Sequence, residues 1–246
     1  TMDLNIERYG KGEKIVFIHG SGLNTNIWHK QRDYLSSFAE VILIDLPGHG
    51  KSPGDGCDSV EGYRDAIYNA IKDSKLEGCY MVGHSLGGAI AMSFAISYPE
   101  VLKGLVLIAT GAKLRVLPQL LDGILKDKEK TLKDITNFAF SKKADNALLD
   151  YQLKESSKCP SWVIYKDFYA CDNFNVMDSL DKISLPTLII CGKEDALTPP
   201  KYSEFIQKHI KNSILVLVEG AGHTPLLEKP DEVNKAIETF IKQANL

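Results

Sequence analysis

Gly83-His84-Ser85-Leu86-Gly87 directly follows the apolar run Cys79–Gly83 and opens a stretch with helical spacing, Ala89, Ile90, Ala91, Met92 and Phe94. Gly-x-Ser-x-Gly in that setting reads as a sharp strand-to-helix turn that lifts the serine oxygen above the edge of a sheet. Side chains at 83 or 87 would collide with the neighbouring strand or helix, which accounts for both glycines. The same turn places a helix N-terminus under the serine, where the backbone N–H of Leu86 can face a developing oxyanion. A serine hydroxyl is a weak nucleophile and needs a base. Only His209 and His223 lie downstream of Ser85. His209 stands between Lys208 and Lys211 in a helical pattern. His223 stands in Glu219–Pro225, a loop directly after the apolar run Ile214–Val218, where it can lean over the top of a sheet. His223 is the expected general base. An acid after the preceding strand would orient it, and Cys191-Gly192-Lys193-Glu194-Asp195 offers two.

The elements that must hold these residues are legible as short apolar runs alternating with longer helical patterns. Lys14–His19, Val41–Asp45, Cys79–Gly83, Leu105–Ala109, Thr187–Cys191 and Ile214–Val218 are continuous rather than alternating, so each is expected to be a fully buried strand. Asp3–Tyr9 alternates and is expected to add an antiparallel edge strand. Helices are expected near 26–37, 59–75, 86–97, 200–211 and 231–243. This alternation implies right-handed crossovers and a parallel sheet covered on both faces. From 111 to 186 no strand-like run occurs, and helical patterns replace it, with Pro118 and Pro160 placed to start helices.

The chain resembles the α/β-hydrolase superfamily over essentially its whole length. Besides the Ser85 elbow, His19-Gly20-Ser21-Gly22 resembles the family's HGxG loop, and Asp45-Leu46-Pro47-Gly48-His49-Gly50-Lys51-Ser52 resembles its DLPGHGxS loop. The resemblance implies that the Ser21 N–H is the second oxyanion donor. It also implies that the acid is Asp195, three residues after Gly192, rather than Glu194. The implied architecture is an α/β-hydrolase core over 1–111 and 183–246, with a mostly parallel sheet of about seven strands, and a helical cap inserted over 112–182. The expected catalytic residues are therefore Ser85, Asp195 and His223, with backbone donors at Ser21 and Leu86. His19 and His84 are expected to be structural. Within the insertion, Leu121 and Phe138 are expected on the inner face.

Composition narrows the partners. Of 246 residues, Lys+Arg number 29 and Asp+Glu 32, giving a net charge of −3 with no basic stripe, so no nucleic-acid partner is expected. Gly50-Lys51-Ser52 mimics the end of a phosphate-binding loop, but Asp45 stands where that loop needs a glycine. No metal-ligand spacing occurs, so neither metal nor cofactor is expected. The five cysteines, Cys57, Cys79, Cys159, Cys171 and Cys191, form no Cys-x-x-Cys and are expected to be free buried thiols. With no signal-peptide core and no bilayer-length run, the expected location is the cytoplasm, without stable membrane insertion and as a monomer or homodimer.

A serine nucleophile excludes the aspartate-dependent dehalogenase and epoxide hydrolase branches that the resemblance would otherwise admit. The expected activity is cleavage of small carboxylic esters through an acyl-enzyme, of the carboxylesterase or monoacylglycerol-lipase type. Thioesters and carbon–carbon bonds of meta-cleavage diketones are the alternatives. A ligand receptor on a hydrolase fold is the non-enzymatic one.

Overall fold

The computed structural model describes residues 2–244. Thr1, Asn245 and Leu246, which the expected core includes, lie outside the described residues. In chain order the strands are β1 (Ile6–Tyr9), β2 (Glu13–Ile18), β3 (Ala39–Ile44), β4 (Cys79–His84), β5 (Leu102–Ile108), β6 (Thr187–Gly192) and β7 (Ser213–Val218). The helices are α1 (His29–Leu35), α2 (Val60–Asp73), α3 (Leu86–Ser97), α4 (Pro118–Lys126), α5 (Lys128–Ala139), α6 (Asn146–Ser157), α7 (Ser161–Asp172), α8 (Pro200–His209), the single turn α9 (Pro225–Glu228) and α10 (Pro230–Ala244). One seven-stranded sheet runs in the order β1-β3-β2-β4-β5-β6-β7. Among the described residues, β1–β3 is the only antiparallel pair of this sheet, as expected for Asp3–Tyr9.

Alternation along the strands divides the core in two. Val16 and Ile18 face one way, with Met81, toward Ile67 of α2, Ile90 of α3 and Ile206 of α8. Ile15 and Phe17 face the other way, with Val82 and Val106, toward Leu35 of α1 and Val233 and Ile237 of α10. This is the period-two pleat of a sheet buried on both faces. Each such aliphatic side chain contributes about 1.5–3 kcal/mol on leaving water. The helix starts are chemically marked. The Ser59 side chain accepts the Gly62 N–H at the start of α2, and Asp127 and Asp145 do the same for Lys130 and Ala147 at α5 and α6.

β7 departs from its expectation. Its run Ile214–Val218 is as apolar as that of β6, but β7 pairs on one side only, and Ile214 is 53% exposed. An edge strand and a central strand share one sequence signature, and neighbours alone decide which is buried. All five thiols are free as expected, and only Cys57 departs, being half-buried.

Register aligns the carboxyl ends of β2, β4 and β5, pairing Ile18 with Gly83 and Gly83 with Leu107. The chain leaves all three strands on one edge of the sheet. Between β5 and β6 the helices α4–α7 lie over that edge, with their own small core of Ile124, Leu132, Cys159, Val163 and Ile164. Pro118 opens α4 and Pro160 caps α7.

Candidate active site

Ser85 sits between β4 and α3 with φ 55° and ψ −113°, a left-handed conformation that non-glycine residues rarely adopt. The turn tolerates nothing larger than glycine at its flanks. A Cβ on Gly83 would lie 2.1 Å from the Gly87 carbonyl oxygen, and one on Gly87 would lie 2.1 Å from that of Ile18. The strain is held by surrounding bonds: the Ser85 N–H donates to Ile108 O, and the Thr110 hydroxyl donates to Ser85 O.

His223 reaches Ser85 from the loop after β7. Its Nε2 lies 3.1 Å from Ser85 Oγ, and its Nδ1 lies 3.0 Å from Asp195 Oδ2. Asp195, in the loop after β6, is buried and accepts further bonds from the backbone N–H groups of Leu197 and Thr198 and from the Thr198 hydroxyl. Burial opposes its ionisation. The adjacent imidazole and these donors outweigh burial and hold its carboxyl below the usual carboxylate range. Glu194 points elsewhere, toward the Lys142 N–H. The structure thus brings Ser85, His223 and Asp195 together and leaves Glu194 outside.

The loop after β2 lies against the elbow, where a Cβ on Gly20 would stand 3.4 Å from that of Ser85. Ser21 comes next, in a turn closed by Leu23 N–H to Gly20 O. The Leu86 N–H opens α3 directly below Ser85. Among the described residues neither the Ser21 nor the Leu86 N–H enters the backbone hydrogen bonds of the surrounding turns.

The two flanking histidines carry proton positions fixed by carbonyls. His84 donates from Nε2 to His223 O, and His19 donates from Nδ1 to Gly20 O while its Nε2 accepts the Leu46 N–H. Burial, reinforced by a neighbouring histidine in each case, pushes both down to about 3, so both are neutral props. His209 stacks on Phe205 in α8, away from the site. Cys171 lines the pocket, but burial pushes its thiol up to about 12 and leaves it unreactive.

A pocket of about 320 Å³ opens above Ser85 and His223. Its walls are largely apolar and come from the inserted helices: Leu120, Leu132, Ile135, Phe138, Ile164 and Phe168. Phe138 lines it as expected, whereas on α4 the lining residue is Leu120 and not Leu121. A one-residue error in helical phase turns a side chain by about 100°.

Several contributors were not singled out from the sequence. The insertion grips the His223 loop, for His223 N–H donates to Ala139 O at the end of α5, and the Thr224 hydroxyl donates to Gln152 of α6. Half-buried Glu228 accepts the N–H groups of both Ser141 and Gly222. Asp167 of α7 is wholly buried and accepts from Gly22, His49 and Tyr63. Apart from Gly222 and Glu228, these partners lie far apart in sequence, so no local pattern marks them. The only available signal for Asp167 was an acid in the middle of a largely apolar and aromatic helix.

A family model described as alpha/beta hydrolase family matches residues 15–236. Two relatives are pimeloyl-[acyl-carrier protein] methyl ester esterases. The one from Aeromonas hydrophila is 29% identical over 98% of this chain and 100% of its own, and the one from Wigglesworthia glossinidia brevipalpis is 30% identical over 94% of each. A solved thermophilic esterase superposes with a TM-score of 0.86 at 36% identity, covering 98% of this chain and 99% of its own.

Proposed function

The chain belongs to the α/β hydrolase family, and from that premise we propose that it is a serine carboxylesterase working through Ser85, His223 and Asp195. The observation that carries the reading is the continuous chain of hydrogen-bonding contacts from Asp195 through His223 to Ser85, at 3.0 and 3.1 Å. His223 Nε2 takes the hydroxyl proton as Ser85 Oγ attacks the ester carbonyl. The carbonyl oxygen becomes an oxyanion that receives the N–H groups of Leu86 and Ser21. His223 then gives its proton to the departing alkoxide, leaving an acyl-Ser85. Water repeats the sequence and frees the acid. Asp195 orients the imidazole and stabilises its protonated form without itself taking the proton.

The core over 1–111 and 183–246 supplies these groups. The insertion over 112–182 acts as a cap whose apolar walls receive the acyl chain. The cavity lies at the small end of the range of ligand pockets, which supports short and medium acyl chains over long lipids. Five free cysteines support the expected reducing, cytoplasmic setting. Among the described residues no helix is long and apolar enough to cross a membrane.

The whole-length likeness to the pimeloyl-[acyl-carrier protein] methyl ester esterases supports a second, narrower reading, a methyl ester on a carrier-bound acyl group. The test is a panel of p-nitrophenyl esters from acetyl to octanoyl, the matching methyl esters, acyl thioesters and methyl esters of carrier-protein-bound acyl groups. The carboxylesterase reading requires turnover of the simple esters that is lost in Ser85→Ala. Turnover confined to carrier-bound methyl esters favours the narrower one, and no turnover on any ester defeats both.

A further inference from the structure

The carboxylate of Asp167 belongs to the insertion, yet all three of its partners belong to the core. Gly22 donates its backbone N–H to Oδ2 at 2.9 Å, His49 Nε2 lies 2.6 Å from the same oxygen, and the Tyr63 hydroxyl donates to Oδ1 at 2.5 Å. Asp167 and His49 have no solvent exposure. His49 Nδ1 faces the Pro47 carbonyl at 2.9 Å, which can only accept, so Nδ1 carries a proton and, against a carboxylate on Nε2, the imidazolium satisfies both ring nitrogens. Burial resists that charge, but Asp167 overrides burial and the net shift of His49 is upward. Asp167 and His49 thus form a buried pair, with Gly22 and His49 on Oδ2 of Asp167 and Tyr63 on Oδ1.

Gly22 is the consequential partner. It has φ +68°, and a Cβ there would lie 3.2 Å from Ile164, three residues before Asp167 on α7. The loop is therefore pinned by α7 at the residue directly after Ser21. One peptide unit separates the N–H that Asp167 holds from the N–H assigned to the oxyanion. Neither Asp167 nor His49 lines the pocket or touches Ser85, so neither meets the substrate.

We infer that Asp167 is a positioning residue for ester hydrolysis: from the insertion, and paired with His49, it fixes the Gly22 peptide and so aims the Ser21 N–H at the oxyanion. This rests on the reading of Ser21 as an oxyanion donor. The insertion would then have two tasks, lining the pocket and completing the alignment of a catalytic group in the core. An oxyanion donor acts mainly in the transition state, so its misalignment lowers kcat more than it alters KM.

The experiment compares parent, Asp167→Ala, Asp167→Asn and Tyr63→Phe on p-nitrophenyl butyrate. Each protein is also titrated with butylboronic acid, which forms a tetrahedral adduct with the active-site serine, and its melting temperature is recorded. Removing a whole oxyanion donor costs about 10²–10³-fold in kcat, and misaligning one forfeits part of that, about tenfold or more. The expected result for Asp167→Ala is a fall of that size in kcat, a matching loss of boronate affinity and a KM within about threefold of the parent. Asp167→Asn keeps an amide oxygen for Gly22 and should recover most of kcat. Tyr63→Phe removes a donor that does not touch the loop and should leave kcat near the parent value while lowering the melting temperature.

A purely structural role predicts the opposite ranking, with kcat following melting temperature across all three variants, and that result overturns the inference. Should Asp167→Ala not fold, Asp167→Glu replaces it. It keeps the charge for His49 but shifts the acceptor by one carbon–carbon bond, so kcat should fall with KM held, and a parent-like kcat overturns the inference. A parent without ester turnover or boronate binding would instead defeat the esterase reading itself, before any variant is compared.

Discussion

Replacing Asp195 by asparagine changes one atom in the row that ends at Ser85, and the bonds around Asp195 dictate the consequence. Its Oδ1 accepts two backbone N–H groups, Leu197 at 3.0 Å and Thr198 at 2.9 Å. Those donors cannot become acceptors, so the asparagine oxygen must take the Oδ1 place and its NH₂ the Oδ2 place. Oδ2 is the atom 3.0 Å from His223 Nδ1. Nδ1 is 3.2 Å from Oδ1, so the NH₂ becomes its nearest partner; accepting from it leaves the ring proton on Nε2, which points at Ser85. The base is then already protonated toward its nucleophile. A tautomer reversal of this kind costs about 10⁴-fold in kcat, or about 5.4 kcal/mol of barrier. The fold should survive, since both backbone bonds persist and the Thr198 hydroxyl can rotate to accept from the NH₂, so the melting temperature should stay within about 5 °C of the parent. Stopped-flow hydrolysis of p-nitrophenyl butyrate at neutral pH measures the loss. A decrease smaller than tenfold in a folded Asp195→Asn would mean that the carboxylate does not set the imidazole tautomer.

Three further outcomes are expected. Leu120→Trp fills the pocket wall on α4, and because an acyl chain gains about 0.8 kcal/mol per buried CH₂, octanoyl esters should lose up to about 10²-fold in kcat/KM while acetyl esters change less than about twofold; equal losses across an acyl series would remove the pocket from specificity. Gly87→Ala puts a Cβ 2.1 Å from Ile18 O, so either the elbow or β2 must move, and calorimetry should record destabilisation by about 3 kcal/mol or more. Glu238 is pulled down to about 2, first by its bond from Lys242 and then by that from the Tyr34 hydroxyl. A carboxyl lowered on folding stabilises above its ordinary pKa, so Glu238→Gln should reduce the melting temperature at neutral pH, and the difference should vanish as pH falls from about 4.5 toward 2; a difference that grows on acidification would reverse the sign.

The strands were readable because a two-sided parallel sheet demands unbroken apolar runs, and Lys14–His19 and Thr187–Cys191 have no other plausible use. The elbow was readable because three functions compete for five positions: a nucleophile at 85 and contact distances that exclude a Cβ at 83 and 87. His223 was readable from its place after a strand; position alone left Glu194 and Asp195 open, and the family resemblance pointed to Asp195. The exposure of β7 was not readable, since its composition matches that of β6 and only the absence of a neighbour distinguishes them. The same holds for Leu120 against Leu121, where helical phase decides, and for Asp167, whose partners are 104 to 145 residues away. Local patterns encode elements and turns. The closure of the insertion on the core is encoded in pairs that only the folded chain brings together.

The central claim is that Ser85 carries the acyl group. Intact-protein and peptide mass spectrometry after an acid quench of the reaction with p-nitrophenyl butyrate tests it directly. The expected result is a single butyryl adduct on the peptide containing Ser85 in the parent and in His223→Ala given time to accumulate it, and none in Ser85→Ala. An adduct on any other residue, or undiminished ester turnover by Ser85→Ala, would contradict it.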